Sequence, residues 1–228
     1  MTYVISDIHG NYEKFKQMLD KIRFKDTDVM YILGDMVDYG EDPIGLLCDV
    51  SMRYNVLPIL GKRDYEALEM LTELDRMLSG QSPDPEVISK MAVWMSEGGK
   101  PTIDGFKALD ADMREGILDY LSDMALYEEV SVAGQDYLLI HAGIADFDPD
   151  MPLDEYMPED FISTPIDVDT KYFDGVTTIV GHTPTSELGG DGKIFRGENT
   201  IFIDCGAECG GALGCLRLED GKEFYINE

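Results

Sequence analysis

Short apolar runs alternate with helical spacings over the first sixty residues. Tyr3 to Ser6 reads as a buried strand, and Phe15, Met18, Leu19 and Ile22 then recur at the spacing of one helix face. Val29 to Leu33 and Val56 to Leu60 read as two further strands. Ile44, Leu47 and Cys48 mark a helix between them, with Pro43 suited to its first turn. Strands alternating with helices imply βαβ units and an α/β fold. From about residue 66 to 127 the pattern changes. Leu68, Leu71 and Leu74 open a helical stretch that Pro83 and Pro85 interrupt; Val87, Met91, Trp94 and Met95 resume it, and Ile117, Leu118 and Leu121 form another face. This is the pattern of a helical insertion within one domain spanning residues 1–228. Strands return at Tyr137 to Ile140 and Thr177 to Val180. The C-terminal runs at 193–195, 200–203, 213–218 and 223–226 suggest an antiparallel meander.

The polar residues are concentrated where these strands end. Tyr3-Val4-Ile5 leads to Asp7-Ile8-His9-Gly10, and Tyr31-Ile32-Leu33 to Gly34-Asp35-Met36-Val37-Asp38. Leu57 to Leu60 leads to Gly61-Lys62-Arg63-Asp64, Leu138 to Ile140 to His141-Ala142-Gly143, and Ile179-Val180 to Gly181-His182-Thr183-Pro184. Sites in α/β sheets form outside the carboxyl ends of strands, so these five ends can share one crevice. The chain has only three histidines, His9, His141 and His182, and each follows a strand. With Asp7 and Asp35 in the same setting, they suit a divalent metal of the Zn, Mn or Fe kind.

The order Asp-x-His-Gly, Gly-Asp-x-Val-Asp, Gly-x-x-Asp, His-Ala-Gly and Gly-His-Thr-Pro resembles the calcineurin-like metallophosphoesterases. It is most similar to their bacterial serine/threonine protein phosphatase branch, as are Gly192 to Arg196 and Ile203 to Ala207. The resemblance implies a four-layer αββα sandwich of two mixed sheets, and one or two divalent metal ions per chain, Mn, Fe or Zn, that activate water for phosphate ester hydrolysis. It also implies that Asp7, His9 and Asp35 hold the first metal, and that Asp35, His141 and His182 hold the second. Asp38, Arg63 and Asp64 occupy positions of catalytic loops, with Asp38 supporting its loop and Asp64 placed to orient an imidazole were histidine restored at position 63. Tyr39 and Arg63 are the candidates for binding substrate.

The third motif departs from the family's Gly-Asn-His-Glu/Asp. Lys62 stands where an asparagine would bind the second metal, and Arg63 where a histidine would act as general acid. A unit charge pair at 4 Å is worth about 4 kcal/mol at a dielectric of about 20, and a dication doubles it. Lys62 must therefore point away, lose its proton, or take the second metal's place against Asp35. A guanidinium does not give up its proton in proteins, but it binds phosphate bidentately. Tyr39 and Thr164 stand at positions where the family carries phosphate-binding arginines. The expected activity is phosphate monoester hydrolysis on a phosphorylated protein or small molecule. A metal-binding pseudo-phosphatase and a dinucleoside polyphosphate hydrolase are the alternatives.

Charge limits the partners. With 46 acidic and 18 basic residues the formal net charge is −28, which repels nucleic acid and anionic membranes. Met1 leads at once into a strand-like run with no basic and apolar leader, and four cysteines do not make a disulfide scaffold, so a cytoplasmic location is expected. Asp146, Asp148 and Asp150 alternate like a calcium loop, but Met151 and Met157 occupy positions that need glycine and glutamate.

Overall fold

The computed structural model describes residues 1–227; Glu228, the last residue of the expected domain, lies outside them. In chain order the elements begin with β1 (Thr2–Ile5), α1 (Tyr12–Ile22), β2 (Val29–Leu33), α2 (Pro43–Ser51) and β3 (Val56–Ile59). A helical block follows: α3 (Lys62–Leu78), α4 (Pro85–Trp94), a π-turn (Met95–Gly99), α5 (Lys100–Ala108) and α6 (Ala111–Ser122). The remainder is β4 (Tyr127–Val132), β5 (Gln135–Ile140), α7 (Pro158–Ile162), β6 (Val176–Val180), β7 (Phe195–Arg196), β8 (Thr200–Phe202), β9 (Leu213–Arg217) and β10 (Lys222–Ile226).

Two five-stranded mixed sheets result, ordered β10-β9-β1-β2-β3 and β4-β5-β6-β8-β7. β1, β2 and β3 are parallel, as the βαβ reading requires, and so are β5, β6 and β8. Strand alternation sends successive side chains to opposite faces. Val4, Leu33, Ile59 and Leu216 of one sheet meet Leu139, Ile179 and Ile201 of the other in an inter-sheet core. Tyr3, Ile5 and Ile32 face outward, in the same apolar cluster as Phe15, Met18 and Leu19 of α1 and Leu46 and Leu47 of α2. This is the expected sandwich of two mixed sheets with flanking helices.

Two expectations are corrected. The C-terminal meander is split: β8 runs parallel to β6 in the second sheet, whereas β9 and β10 cross to the first and pair antiparallel beside β1. The apolar runs were all present, but periodicity carries no information on which sheet a run joins. The helical block starts at Lys62, before the expected 66, because Asp64 accepts from the Gly61 amide and caps α3 at its third residue. It ends at Ser122, so β4 begins inside the stretch assigned to helices. β4 gives no strand signal in the sequence because its burial is only partial and Glu128 and Glu129 interrupt its alternation. Among the described residues no helix is long and apolar enough to cross a membrane.

The inter-sheet core makes a direct prediction. Ile179→Ala should cost about 2–5 kcal/mol of unfolding free energy. Val93→Ala, at a side chain 55% exposed, should change it by under about 0.5 kcal/mol. Chemical denaturation of both variants beside the parent chain measures the contrast.

Candidate metal centre

Parallel pairing puts the carboxyl ends of β1, β2, β5, β6 and β8 at one edge of the sandwich, and backbone bonding continues past the strands. The Asp7 amide donates to Gly34 O at 3.1 Å and the His9 amide to Asp35 O at 2.9 Å. In the second sheet the Gly181 amide donates to His141 O at 2.9 Å. The turns that follow are sharp. Asp7, His9, Asp35, Asp38, Tyr39 and His182 all have positive φ, between 47° and 72°. Non-glycine residues there are uncommon, and they gather where surrounding structure holds a functional geometry.

Two groups of ligand atoms form at this edge. Asp7, His9 and Asp35 offer atoms within 4.8 Å of one another, as do Asp35, His141 and His182. Asp35 belongs to both. Its Oδ1 lies 3.4 Å from His141 Nε2, and its Oδ2 3.8 Å from His9 Nε2. Both histidines are oriented through the other ring nitrogen: His141 Nδ1 lies 2.7 Å from Leu33 O, and His9 Nδ1 3.2 Å from Val37 O. Donation from Nδ1 leaves each Nε2 as a lone pair aimed at the carboxylates, the usual arrangement for metal-ligating imidazoles. His141 Nε2 is buried and has no hydrogen-bond partner. A buried orphan nitrogen is costly unless something outside the chain satisfies it, so the donor set fits a divalent cation. Glycine is required around this cluster. A Cβ on Gly61 would overlap Asp35, and one on Gly181 would overlap Ser6 and Asp7.

The remaining expected site residues lie around this centre. Tyr39 packs edge-on to His9, with ring centroids 5.1 Å apart. The Arg63 guanidinium sits 5.1 Å from the Tyr39 ring centroid, donates to the Tyr39 hydroxyl, and pairs with Glu66 at 3.2 Å. The Arg63 amide donates to Asp35 Oδ1 at 2.8 Å, which ties the start of α3 to the centre. Lys62 forms no ion pair among the described residues, so of its three alternatives the pairing with Asp35 is not the one seen. Thr164 O accepts from the Gly143 amide at 2.7 Å, in the turn that carries His141.

Asp64 and Asp38 both hold the loops of the centre, through different partners. Asp64 is fully buried and accepts from the Met36 amide at 3.0 Å and the Gly61 amide at 3.2 Å, so it joins two loops. Besides Glu66, the carboxylate near the Arg63 guanidinium is Asp38, 3.9 Å from Nη1. Asp38 itself accepts from Thr102 Oγ1 at 2.7 Å and Trp94 Nε1 at 2.8 Å, both in the helical block. Asp204 is buried, acts on Asp7 electrostatically, and is a further residue of this edge beyond those the motifs point to. The signal was available, since it follows the 200–203 strand run as the ligands follow theirs. Thr102 and Trp94 carried no comparable signal.

A profile of the calcineurin-like phosphoesterase family matches residues 2–201. A protein named bis(5'-nucleosyl)-tetraphosphatase, symmetrical, from Nitrosospira multiformis is 28% identical over 147 residues, covering 62% of this chain and 43% of that protein. A protein of the same name from Buchnera aphidicola is 42% identical over 65 residues, 28% of this chain and 24% of that one. The matches therefore span less than half the length of these curated relatives. Among solved structures, a candidate diadenosine tetraphosphatase superposes with a TM-score of 0.66 at 18% identity, covering 99% of this chain and 92% of that one. A serine/threonine phosphatase from Saccharomyces cerevisiae gives 0.57 at 12% identity, covering 100% and 79%. At these identities the structures bear on the fold alone.

The electrostatics of the centre are those of a cluster short of positive charge. Burial pushes Asp38 up to about 6, and pushes Asp64 and Asp204 each up to about 7, with Asp35 adding to Asp64 and Glu208 to Asp204. Asp7 is raised well above the ordinary range by burial and then by Asp204 and Asp35. Burial would raise Asp35 as well, but His141 and His9 outweigh it and hold it below the ordinary range. Burial, followed by His141, holds His182 down at about 4, with Lys62 adding to the effect, so the imidazole is neutral near pH 7 as a ligand must be. A carboxyl whose folded pKa exceeds its unfolded value of about 3.9 contributes stability that is fully present below that value. It is lost as pH rises through the folded pKa. His182 acts oppositely, its contribution rising from pH about 4 to the ordinary histidine value of about 6.5. Asp38, Asp64 and Asp204 outnumber it. The unfolding free energy of the chain in EDTA should therefore fall between about pH 4.5 and pH 7, and Asp204→Asn should make the fall shallower. Urea unfolding across that range checks both statements; a flat or rising profile would contradict them.

Proposed function

The chain belongs to the calcineurin-like phosphoesterase family, and from that premise we propose that it is a metal-dependent phosphoesterase acting on substrates whose leaving groups need little protonation: phosphoanhydrides of the dinucleoside polyphosphate kind, and aryl phosphates. The observation that carries this reading is the state of the third motif. Arg63 stands at the general acid's position, and its guanidinium keeps its proton. The nearby carboxyls do not replace it, and Glu66 is held by Arg63 itself at 3.2 Å. Asp64 is taken up by two backbone amides, and Asp38 by Thr102 and Trp94. The name shared by the curated relatives, a tetraphosphatase of bis(5'-nucleosyl) substrates, supports the same chemistry.

Asp7, His9 and Asp35 would hold one divalent cation, and Asp35, His141 and His182 a second. Such ions polarise a phosphoryl oxygen and lower the pKa of a bound water. The chain's own residues have separate tasks. Leu33 O and Val37 O fix the tautomers of His141 and His9. Arg63 offers a planar fork of donors to phosphoryl oxygens, held on the Tyr39 ring. Lys62, at the first turn of α3, supplies a second cation for an anionic substrate in a chain of net charge −28.

Substrate preference is the test. With added manganese, p-nitrophenyl phosphate and diadenosine tetraphosphate should be cleaved faster than a phosphoserine peptide by about a hundredfold or more, the range that general acid help is worth. Comparable rates would show that another acid serves and would favour the protein phosphatase reading. No turnover on any substrate, with metal bound, would leave the pseudo-phosphatase.

Metal content gives a second prediction. Lys62 replaces a neutral amide ligand, and its ammonium bears on His182. After mild dialysis the chain should hold nearer one ion than two by elemental analysis, and Lys62→Asn should raise the count. Two tightly held ions in the parent chain would overturn this.

A further inference from the structure

Arg63 pairs with Glu66 of its own helix at 3.2 Å, and the two other groups that touch its guanidinium, Asp38 and Tyr39, belong to a single scaffold. Its Nη1 lies 3.9 Å from Asp38 Oδ2 and its Nη2 donates to the Tyr39 hydroxyl, with the guanidinium lying over the Tyr39 ring. Asp38 is 0% exposed. Its Oδ2 accepts from Trp94 Nε1 at 2.8 Å, its Oδ1 accepts from Thr102 Oγ1 at 2.7 Å, and its amide donates back to Thr102 Oγ1 at 3.0 Å. The Tyr39 amide donates to Gly98 O at 2.9 Å. Trp94, Gly98 and Thr102 flank or form the π-turn Met95–Gly99, a feature often found at functional positions.

The turn is built for this approach. Gly98 has φ of 111°, and a Cβ there would meet the Tyr39 ring at 2.6 Å; a Cβ on Gly99 would overlap the Trp94 indole. Glycine is therefore required at both positions by the aromatic ring that each one touches. The contacts run from the helical block to Asp38 and Tyr39, and from these two to Arg63.

We propose that Trp94 is a positioning residue for Arg63, so that the helical block sets the affinity of the centre for phosphate. Trp94 has no contact with substrate in this scheme. Its indole N–H fixes the Asp38 carboxylate, which in turn limits where the guanidinium can lie. The proposal rests on the phosphoesterase reading for the identity of the ligand, but binding alone tests it.

Orthophosphate binding to the manganese-loaded chain, measured by calorimetry, is the experiment. Trp94→Phe keeps the ring and removes the donor. It should weaken orthophosphate about three- to tenfold, the size of one weakened hydrogen bond. In an Arg63→Ala background the same change should have no further effect beyond about twofold. Thr102→Val removes the other donor to Asp38 and should give a loss of the same order; it carries the test if Trp94→Phe does not fold. Trp94 is the chain's single tryptophan. Its emission should change on adding orthophosphate to the parent chain and stay unchanged in Arg63→Ala. Where turnover is measurable, the loss should appear in KM with kcat within about twofold. Parental affinity in both variants, equal losses with and without Arg63, or a parent chain that binds no orthophosphate would each overturn the proposal. Phosphate binding of the expected pattern without hydrolysis would overturn the function reading alone.

Discussion

Asp35 must face three groups at once, and the rest of this edge of the sandwich is arranged around that requirement. Its carboxylate accepts the Arg63 amide and lies 3.4 Å from His141 Nε2 and 3.8 Å from His9 Nε2. These partners come from three strand ends on two sheets. Such convergence needs the backbone to turn at once after each strand, hence the left-handed conformations at Asp7, His9, Asp35 and His182. It also needs the third loop to pass against Asp35 without a side chain in the way, which only Gly61 permits. The two sheets are joined here by side chains as well as by their apolar core: His141 of the second sheet reaches Leu33 O of the first, and the His182 amide donates to Asp7 Oδ2 at 3.0 Å.

The centre was legible in the sequence because its residues follow buried strands. A strand buried on both faces is a continuous apolar run, and a polar residue just beyond it marks a strand end. Asp7, His9, Asp35, His141 and His182 all carry that mark, and the two groups of three they form are the groups the family resemblance implies. The supports were less legible. Asp38 and Asp64 look alike along the chain, four and three residues after the strand-end glycines Gly34 and Gly61, yet their partners come from different places. Asp64 serves backbone amides of adjacent loops, which are local to the βα turns. Asp38 serves Thr102 and Trp94, which a spacing argument cannot place because they lie 64 and 56 residues away.

The same distinction explains the misread tail. The runs around 200–203 and 213–218 are apolar in either topology. Their assignment to different sheets is decided by pairing with β6 on one side and β1 on the other, and by the bend at Gly206, Gly210 and Gly211 that carries the chain across. Asp204 lies at the start of that bend and is drawn in behind Asp7 as a result. A strand-end reading extended to Ile203 would have found it.

The third motif alters where positive charge comes from. A centre with Asp7, Asp35, Asp38, Asp64 and Asp204 buried close together, in a chain of net charge −28, cannot bring in a phosphate anion on the field of the protein at large. Attraction has to be local. The carboxylates Asp7 and Asp35 belong to two candidate cation sites, and the start of α3 contributes Lys62, Arg63 and a helix amino terminus. Replacing asparagine and histidine by lysine and arginine therefore exchanges a metal ligand and a proton donor for two fixed charges. Under the function proposed above, that exchange favours holding an anion over releasing a poor leaving group. Tyr39, in place of an arginine, then has a structural reason to be aromatic: its ring carries the guanidinium that its own position lacks, and its edge closes over His9.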